Sequence, residues 1–119
     1  MNIVILGAGQ VGSELSAILA SDHDITLIDL NQEKLLKISD HHDLKTICGN
    51  ACYPKTLEQA EIENADLAIA MTQYDEVNMV ACQMIKHMSK KTKTMARIRS
   101  TQYLGGKGSE IFEEGDYTI

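Results

Sequence analysis

Short apolar segments alternate with amphipathic segments along the whole chain. Residues 3–6 (IVIL) form an apolar run that ends at a glycine, the pattern of a strand buried on both faces. Four later segments share this strand-like character, at residues 24–29, 45–48, 66–71 and 93–99. A sixth strand is predicted at residues 116–119.

Amphipathic spacing between these strands predicts helices. Val11, Leu15, Ile18 and Leu19 recur at the spacing of one helical face. The other predicted helices are one capped by Asn31 that carries Leu35, Leu36 and Ile38, a short one from Pro54 to about residue 60, a longer one with Val77, Ala81, Met84, Ile85 and Met88, and a last one from Ser109 to Gly115.

This alternation predicts the fold class. Strands separated by helices pair in parallel through right-handed crossovers. We therefore predict an α/β fold of the Rossmann type, a doubly wound and mainly parallel six-stranded sheet with strand order 3-2-1-4-5-6. A chain of 119 residues suits one domain over residues 1–119. Because it stops directly after a strand-like segment, we expect it to be a fragment of a longer protein.

Charge and composition exclude several classes of protein. The chain has 11 Lys and Arg against 17 Asp and Glu, a net charge of −6. This balance argues against a nucleic-acid partner, because such proteins present a basic surface. No apolar run approaches the ~20 residues of a membrane helix, and the first residues lack the basic segment of a secretory signal. We expect a protein of a reducing compartment.

The three cysteines are expected to be thiols in such a compartment. Cys48 and Cys52 are four residues apart, which invites comparison with a metal site. No histidine lies close enough in the sequence to complete a familiar zinc pattern, so no metal site is predicted. Cys82 lies among apolar neighbours and is predicted to belong to the core.

A glycine motif follows the first strand directly and opens the first predicted helix. Its first glycine permits a tight turn, its second lets a diphosphate approach the backbone, and its third lets the helix pack close to the sheet. The amides at the helix start then face the anion. The motif consists of Gly7, Ala8, Gly9, Gln10, Val11 and Gly12.

An acidic residue completes this pattern. Asp29 ends the second strand, 22 residues after Gly7, where a carboxylate accepts hydrogen bonds from ribose hydroxyls. Its charge disfavours a 2′-phosphate, and Leu30 and Asn31 supply no arginine to bind one. The motif and the acid together predict that NAD or an adenosine nucleotide binds in preference to NADP. The sequence does not rank NAD(H) against ADP or ATP.

Two further loops fall where ligands bind in such sheets, beyond the strand ends at which the strand order reverses. The loop after the third strand is expected to line the adenine side. In the loop after the fourth strand, the threonine is expected to lie near the phosphates or the second ribose, to cap the next helix, or both. The loop residues are Gly49, Asn50 and Ala51, and then Met71, Thr72 and Gln73.

Two arginines lie two positions apart on the fifth predicted strand and so point to the same face. Guanidinium groups are costly to bury unless they meet anions. Arg97 is expected to reach either a ligand phosphate or the carboxylates of Asp75 and Glu76, and the sequence leaves both possibilities open. Arg99 is expected in solvent or at a subunit contact.

Several segments together resemble one family. They are ILGAGQVG at residues 5–12, Asp29, GNA at residues 49–51, MTQYDEVNMVACQ at residues 71–83 and ARIRS at residues 96–100. Over residues 1–104 they resemble the nucleotide-binding domain of the Trk potassium-uptake regulators, which belong to the regulators of potassium conductance. The pattern DExNMxAC followed by ARIRS is far more distinctive than the glycine motif alone.

The resemblance implies a cytoplasmic domain that binds NAD(H) or ADP/ATP and forms a homodimer or a ring-like homo-oligomer. It implies docking at the inner face of the cell membrane, beneath a potassium-translocating subunit whose gating the domain controls. The nucleotide contacts that it implies are Gly7 to Val11, Asp29, Thr72, Gln73 and Arg97.

An oxidoreductase fragment is the alternative function, since hydride-transferring enzymes use the same glycine motif. Such enzymes take their substrate pocket and proton donor from a second domain or a long insertion. The four histidines lie at predicted turns, helix ends or exposed helix positions and are not expected to be catalytic. We therefore predict a regulatory binding module without enzymatic activity.

Overall fold

A computed structural model describes residues 1–111 as a parallel sheet with helices on both faces. In these residues the sheet has five strands. The elements are β1 (Asn2–Leu6), α1 (Gln10–Leu19), β2 (Asp24–Asp29), α2 (Gln32–Ser39), β3 (Lys45–Cys48), α3 (Pro54–Gln59), a 3₁₀ turn (Ile62–Asn64), β4 (Leu67–Ala70), α4 (Asp75–Met88), β5 (Lys93–Ala96), α5 (Thr101–Leu104) and α6 (Gly106–Ser109).

The sheet order is β3-β2-β1-β4-β5, and every neighbouring pair is parallel. This confirms the predicted Rossmann-type fold and the order of its first five strands. The sixth predicted strand, at residues 116–119, lies outside the described residues. The strand order reverses beside β1, where Leu6 lies opposite Ile28 of β2 and Ala70 of β4.

Backbone hydrogen bonds continue the ladders past the carboxyl ends of the strands. The Gly7 amide donates to the Ile28 carbonyl at 2.8 Å, and the Met71 amide donates to the Leu6 carbonyl at 2.7 Å. The Arg97 amide likewise donates to the Ala70 carbonyl at 2.9 Å. The loops that carry the predicted site are therefore held against the sheet at their first residues.

The sheet divides the core into two layers, as expected for strands buried on both faces. Alternate residues of β1 show the division, since Ile3 and Ile5 face α1 and α2 while Val4 and Leu6 face α3 and α4. Ile5 and Leu6 have no exposed surface. Both layers therefore support β1, the strand that leads into the glycine motif.

Helix α1 has the predicted position, and half of its predicted apolar face is confirmed. Leu15 and Leu19 pack against the core, whereas Val11 is 48% exposed and Ile18 is 70% exposed. The fully buried residues are Gly12 and Ser16, which are small enough for the helix to lie close to the sheet. Apolar periodicity missed these two residues, because close packing here depends on the absence of bulk.

The last described elements differ in part from the prediction. The fifth strand ends at Ala96 and not at residue 99, because its partner β4 already ends at Ala70. Ser109, the predicted start of a last helix, is the final residue of α6 and donates to the Gly106 carbonyl at 2.8 Å. The predicted continuation of that helix to residue 115 lies outside the described residues.

The N-terminal signals of the next two helices are confirmed. Asn31 caps α2, since its side-chain oxygen accepts from the amides of Glu33 at 3.0 Å and Lys34 at 3.2 Å. Pro54 occupies the first turn of α3, where a missing amide hydrogen costs nothing. In the described part of the chain, no helix has the length and apolar character needed to cross a bilayer.

The three thiols differ in burial, which predicts a difference in reactivity. Cys48 is exposed and Cys82 is buried. Burial raises the pKa of the Cys82 thiol to about 12. Because the thiolate is the nucleophile, native protein at pH 8 should react with iodoacetamide at Cys48 and not at Cys82. Mass spectrometry of the alkylated peptides measures this, with labelling in urea as the control for intrinsic reactivity.

The same shift has a consequence for stability against pH. The thiol of unfolded Cys82 ionises near its ordinary pKa, whereas the native thiol stays protonated to about pH 12. The contribution of Cys82 to stability is complete below the unfolded pKa and is lost as the pH rises toward 12.

In the iodoacetamide experiment, equal labelling rates at Cys48 and Cys82 in native protein would contradict the buried placement of Cys82.

Candidate nucleotide-binding site

A cavity of about 520 Å³ opens at the carboxyl ends of the central strands, where the strand order reverses. The loops after β1, β2, β3, β4 and β5 all contribute to its wall. It brings together every predicted contact except Ala8. The predicted residues on its wall are Gly7, Gly9, Gln10, Val11, Gly12, Asp29, Leu30, Gly49, Asn50, Ala51, Met71, Thr72, Gln73 and Arg97.

The three motif glycines meet different surroundings. Gly7 has a φ of +109°, and a Cβ there would lie 2.9 Å from the Met71 carbonyl carbon and the Thr72 nitrogen. A Cβ on Gly12 would overlap the Gly7 carbonyl oxygen, so only glycine lets α1 approach the turn this closely. A Cβ on Gly9 would have no protein atom within 4 Å. Gly7 and Gly12 therefore shape the fold, whereas Gly9 leaves open space.

Helix α1 begins at this open space with unpaired amides. Gly9 is its N-cap and offers no side chain to accept from the first-turn amides. The first turn also carries no acidic side chain. The amides of the first turn of a helix have no acceptor within it, and the helix dipole adds partial positive charge there. The helix start is suited to an anion.

The Asp29 carboxylate is oriented by backbone amides on both sides. Its Oδ1 accepts from the Ala8 amide at 2.8 Å, and its Oδ2 accepts from the Asn31 amide at 2.8 Å. Each oxygen keeps lone-pair capacity for a further donor. Ala8 is 4% exposed, so it lies behind the cavity wall and acts on the site through Asp29.

The Thr72 side chain is engaged in its own loop and does not cap α4. The residue before α4 is Tyr74, and no side chain caps it. The Thr72 hydroxyl donates to Oδ1 of Asn78 at 2.7 Å and lies 3.3 Å from the Tyr74 amide, which donates to it. The capping interpretation is therefore wrong. Thr72 keeps its place on the cavity wall.

Arg97 binds backbone carbonyls at the floor of the cavity. Its Nη2 donates to the carbonyls of Met71 and Thr72, both at 3.0 Å, and its buried Nε has no partner within residues 1–111. Burial, and secondly the nearby Arg99 charge, lower the Arg97 pKa, whereas the charge of Asp75 acts in the opposite direction. The guanidinium thus keeps unused N–H donors. Its positive charge is not neutralised by the two carbonyl oxygens.

The two carboxylates considered for Arg97 have other partners. Asp75 accepts from the amides of Arg99 at 2.9 Å and Ser100 at 2.8 Å. Glu76 accepts from the Tyr103 hydroxyl at 2.7 Å. These contacts use both acids to hold the segment after β5 against the start of α4. They do not form the ion pair with Arg97 that was one of the two possibilities left open by the sequence.

Five residues on the cavity wall were not predicted. Val77 and Tyr74 belong to the start of α4 and its approach, and their signal was only their closeness in sequence to Thr72. Lys34 follows Asp29 by five residues on α2, and its charge beside an acid was the available signal. The unpredicted residues are Ile28, Lys34, Tyr74, Val77 and Arg99.

The local charge of the cavity is opposite to that of the chain. Among the described residues, its wall carries the cations Lys34, Arg97 and Arg99 against one carboxylate, that of Asp29. The chain as a whole has a net charge of −6. A cationic cleft on an acidic protein concentrates anionic ligands. The Asp29 carboxylate at one side can accept hydrogen bonds from hydroxyls. The cavity is therefore suited to a ligand that carries both hydroxyls and phosphates.

No metal centre accompanies this cavity in the described residues, where no three His, Cys, Asp or Glu side chains cluster as ligands. Cys52 is half-buried, its Sγ lies 3.5 Å from the Val77 carbonyl, and burial raises its pKa. The described part of the cavity thus offers backbone amides, guanidinium groups, an ammonium group and one carboxylate.

Comparison with known proteins agrees with this architecture. The chain is 44% identical over 109 residues to the Trk system potassium uptake protein TrkA of Halomonas elongata, a match that covers 91% of this chain and 24% of that protein. The chain therefore spans about a quarter of the length of this curated relative.

Two solved structures share the fold. The AMP-bound carboxy-terminal domain of Kef from Shewanella denitrificans superposes with a TM-score of 0.74 at 17% identity, over 87% of this chain and 64% of that chain. The GsuK channel bound to NAD superposes with a TM-score of 0.74 at 19% identity, over 86% of this chain and 18% of that chain. At such identities they establish the fold alone.

The family itself is established by a broader match. The TrkA-N domain model matches residues 3–115, which include every element that positions the cavity. With a parallel sheet in Rossmann order and the glycine motif at its reversal point, the chain belongs to the TrkA-N domain family.

Proposed function

We propose that this chain is a nucleotide-binding regulatory module. The observation that carries the proposal is the cavity at the reversal of strand order, where a glycine turn and the Asp29 carboxylate lie together with the guanidinium groups of Arg97 and Arg99. This combination suits a nucleoside with a diphosphate: hydroxyls for the carboxylate, and anionic oxygens for amides and guanidinium groups.

The proposed binding mode follows the order of groups around the cavity. The adenine lies beside Gly49, Asn50 and Ala51, and the ribose hydroxyls donate to Asp29. The diphosphate lies at the start of α1 above Gly9. In ADP or ATP the terminal phosphate extends toward Arg97, and in NAD(H) the second ribose approaches Thr72.

The proposed output is control of potassium uptake. The name of the Halomonas relative, a Trk system potassium uptake protein, supports this role. The module acts in the cytoplasm as a homodimer or ring and docks under a membrane potassium-translocating subunit. A nucleotide shifts such an assembly only by its difference in affinity for two conformations.

Calorimetric titration of the purified chain with NAD, NADH, ADP, ATP and NADP tests the proposal. We expect saturable micromolar binding of one or more of the first four ligands and much weaker binding of NADP. Absence of heat with all five ligands would overturn the nucleotide-binding role. Steady NADH oxidation by the longer protein with a small-molecule substrate would instead favour an oxidoreductase.

The Asp29→Ala variant tests the placement of the ribose. We expect affinity for ADP and NAD to fall about tenfold or more, because hydrogen bonds to a charged acceptor contribute about 1.5–3 kcal/mol each. The domain should remain folded, although the amides of Ala8 and Asn31 lose their acceptor. Calorimetry measures the affinities, and circular dichroism follows the fold.

Asp24→Ala is the matched control, since Asp24 is an exposed acid at the opposite end of the same strand. It removes the same charge without touching the cavity of Asp29. We expect its nucleotide affinity to equal that of the unmodified chain. Unchanged affinity in Asp29→Ala would show that the ribose lies elsewhere.

A further inference from the structure

Asn78 is a fully buried amide whose hydrogen-bonding groups are all used. It lies on α4 and has no exposed surface. Its Oδ1 accepts from the Thr72 amide at 2.9 Å and from the Thr72 hydroxyl at 2.7 Å. Its Nδ2 donates to the carbonyls of Thr72 at 3.1 Å and Arg97 at 2.8 Å. Two acceptor and two donor positions exhaust the capacity of this side chain.

These four bonds join two loops that approach the cavity from different strands. Thr72 follows β4 and Arg97 follows β5, and both line the cavity. Arg97 in turn donates from Nη2 to the carbonyls of Met71 and Thr72. Asn78 and Arg97 therefore both donate to the Thr72 carbonyl.

Packing alone gives little reason for asparagine at this position. Its neighbours Ala81, Cys82 and Ile85 on α4 are buried and apolar or nearly so. Asparagine is a poor helix former, and a buried amide is costly unless every group is paired. A saturated amide in an apolar layer holds its partners in a fixed arrangement, and those partners are cavity residues.

We propose that Asn78 is a positioning residue that fixes the Thr72 loop against Arg97 so that the Arg97 guanidinium meets the outer phosphate of a bound nucleotide. This rests on the proposed function, because it needs a nucleotide whose phosphate chain reaches Arg97. AMP ends at the phosphate held by the glycine turn, whereas ADP carries one more phosphate toward Arg97. Asn78 therefore acts on the preference for ADP over AMP.

Calorimetry with ADP and AMP on Asn78→Ala tests this role. The unmodified chain is expected to bind ADP more tightly than AMP. In Asn78→Ala the ratio of the ADP affinity to the AMP affinity is expected to fall about tenfold. Its affinity for AMP should stay within about threefold of the unmodified chain. Cys82→Ala is the matched control, since Cys82 is equally buried one turn further along α4 and its Sγ is directed to the Met95 carbonyl.

A purely structural role would give a different result. Both variants would then lower the unfolding temperature and leave the ratio of the two affinities unchanged. An unchanged ADP preference in Asn78→Ala would thus overturn the positioning role while nucleotide binding stands. Equal affinity of the unmodified chain for ADP and AMP would also overturn it. If the unmodified chain binds neither nucleotide, the proposed function fails, and this inference fails with it.

A second measurement covers the case in which Asn78→Ala does not fold. The side-chain amide resonances of Asn78 in the ¹⁵N-labelled unmodified chain report on its four hydrogen bonds. Saturation with ADP should shift them more than saturation with AMP. Equal shifts with both nucleotides would overturn the proposal.

Discussion

Gly12→Ala is expected to destabilise the domain by about 3 kcal/mol, the upper part of the range for overpacked sites. The added methyl group would overlap the Gly7 carbonyl oxygen, and a backbone atom cannot rotate away as a side chain can. The gain in helix propensity from alanine, about 1 kcal/mol, offsets only part of this cost. Urea denaturation measures the loss in the free energy of unfolding.

Gly105→Ala is the control for this substitution. Its added Cβ would have no atom within 4 Å, so we expect a change within about 0.5 kcal/mol. Gly12→Ala should also weaken nucleotide binding, because the overlap with the Gly7 carbonyl oxygen is relieved only if α1 moves away from the turn. A Gly12→Ala variant as stable as the unmodified chain would show that α1 packs further from β1 than the structure has it.

Gly9→Ala is expected to separate binding from folding. Its φ of −70° suits alanine, and the added Cβ meets no protein atom within 4 Å. Stability should therefore change by less than about 1 kcal/mol. Affinity for ADP should fall about 100-fold or more, because the methyl group occupies the space in which a diphosphate approaches the first-turn amides, each bond being worth about 1.5–3 kcal/mol.

Calorimetry and thermal unfolding of Gly9→Ala give the two quantities separately. The informative result is the contrast with Gly12→Ala, in which stability and affinity fall together. If Gly9→Ala bound ADP as tightly as the unmodified chain, the diphosphate would not lie at the start of α1. The nucleotide affinity of Asp29→Ala would then show whether only the phosphate chain or the whole nucleotide lies elsewhere.

Local patterns sufficed to predict the sheet and most of the cavity wall. Apolar runs identified the strands, since a parallel strand is buried on both faces wherever it occurs. The glycine motif and Asp29 were recognisable because their function depends on spacing along the chain. For Arg97 the sequence left a ligand phosphate and the acids of α4 both open, and the structure places it on the cavity wall. The end of the strand before it was less well predicted.

Depth of burial on α1 shows where pattern alone failed. Leu15 and Leu19 pack against the core as predicted, but Val11 and Ile18 are exposed although they have apolar side chains at the same spacing. The fully buried residues of the helix are Gly12 and Ser16. Periodicity reports which residues share a face. It does not report that the α1 backbone passes so close to the turn at Gly7 that position 12 has no room for a side chain.

The sequence by itself determined the fold class, the glycine turn and the acid at the end of β2, because each follows from residues near one another in the chain. Only the tertiary structure decided that Arg97 binds the Met71 and Thr72 carbonyls and that Asn78 joins those loops. Such partners are chosen by distances between groups far apart in sequence. Those distances exist only once the strands are aligned in the sheet and α4 packs against it.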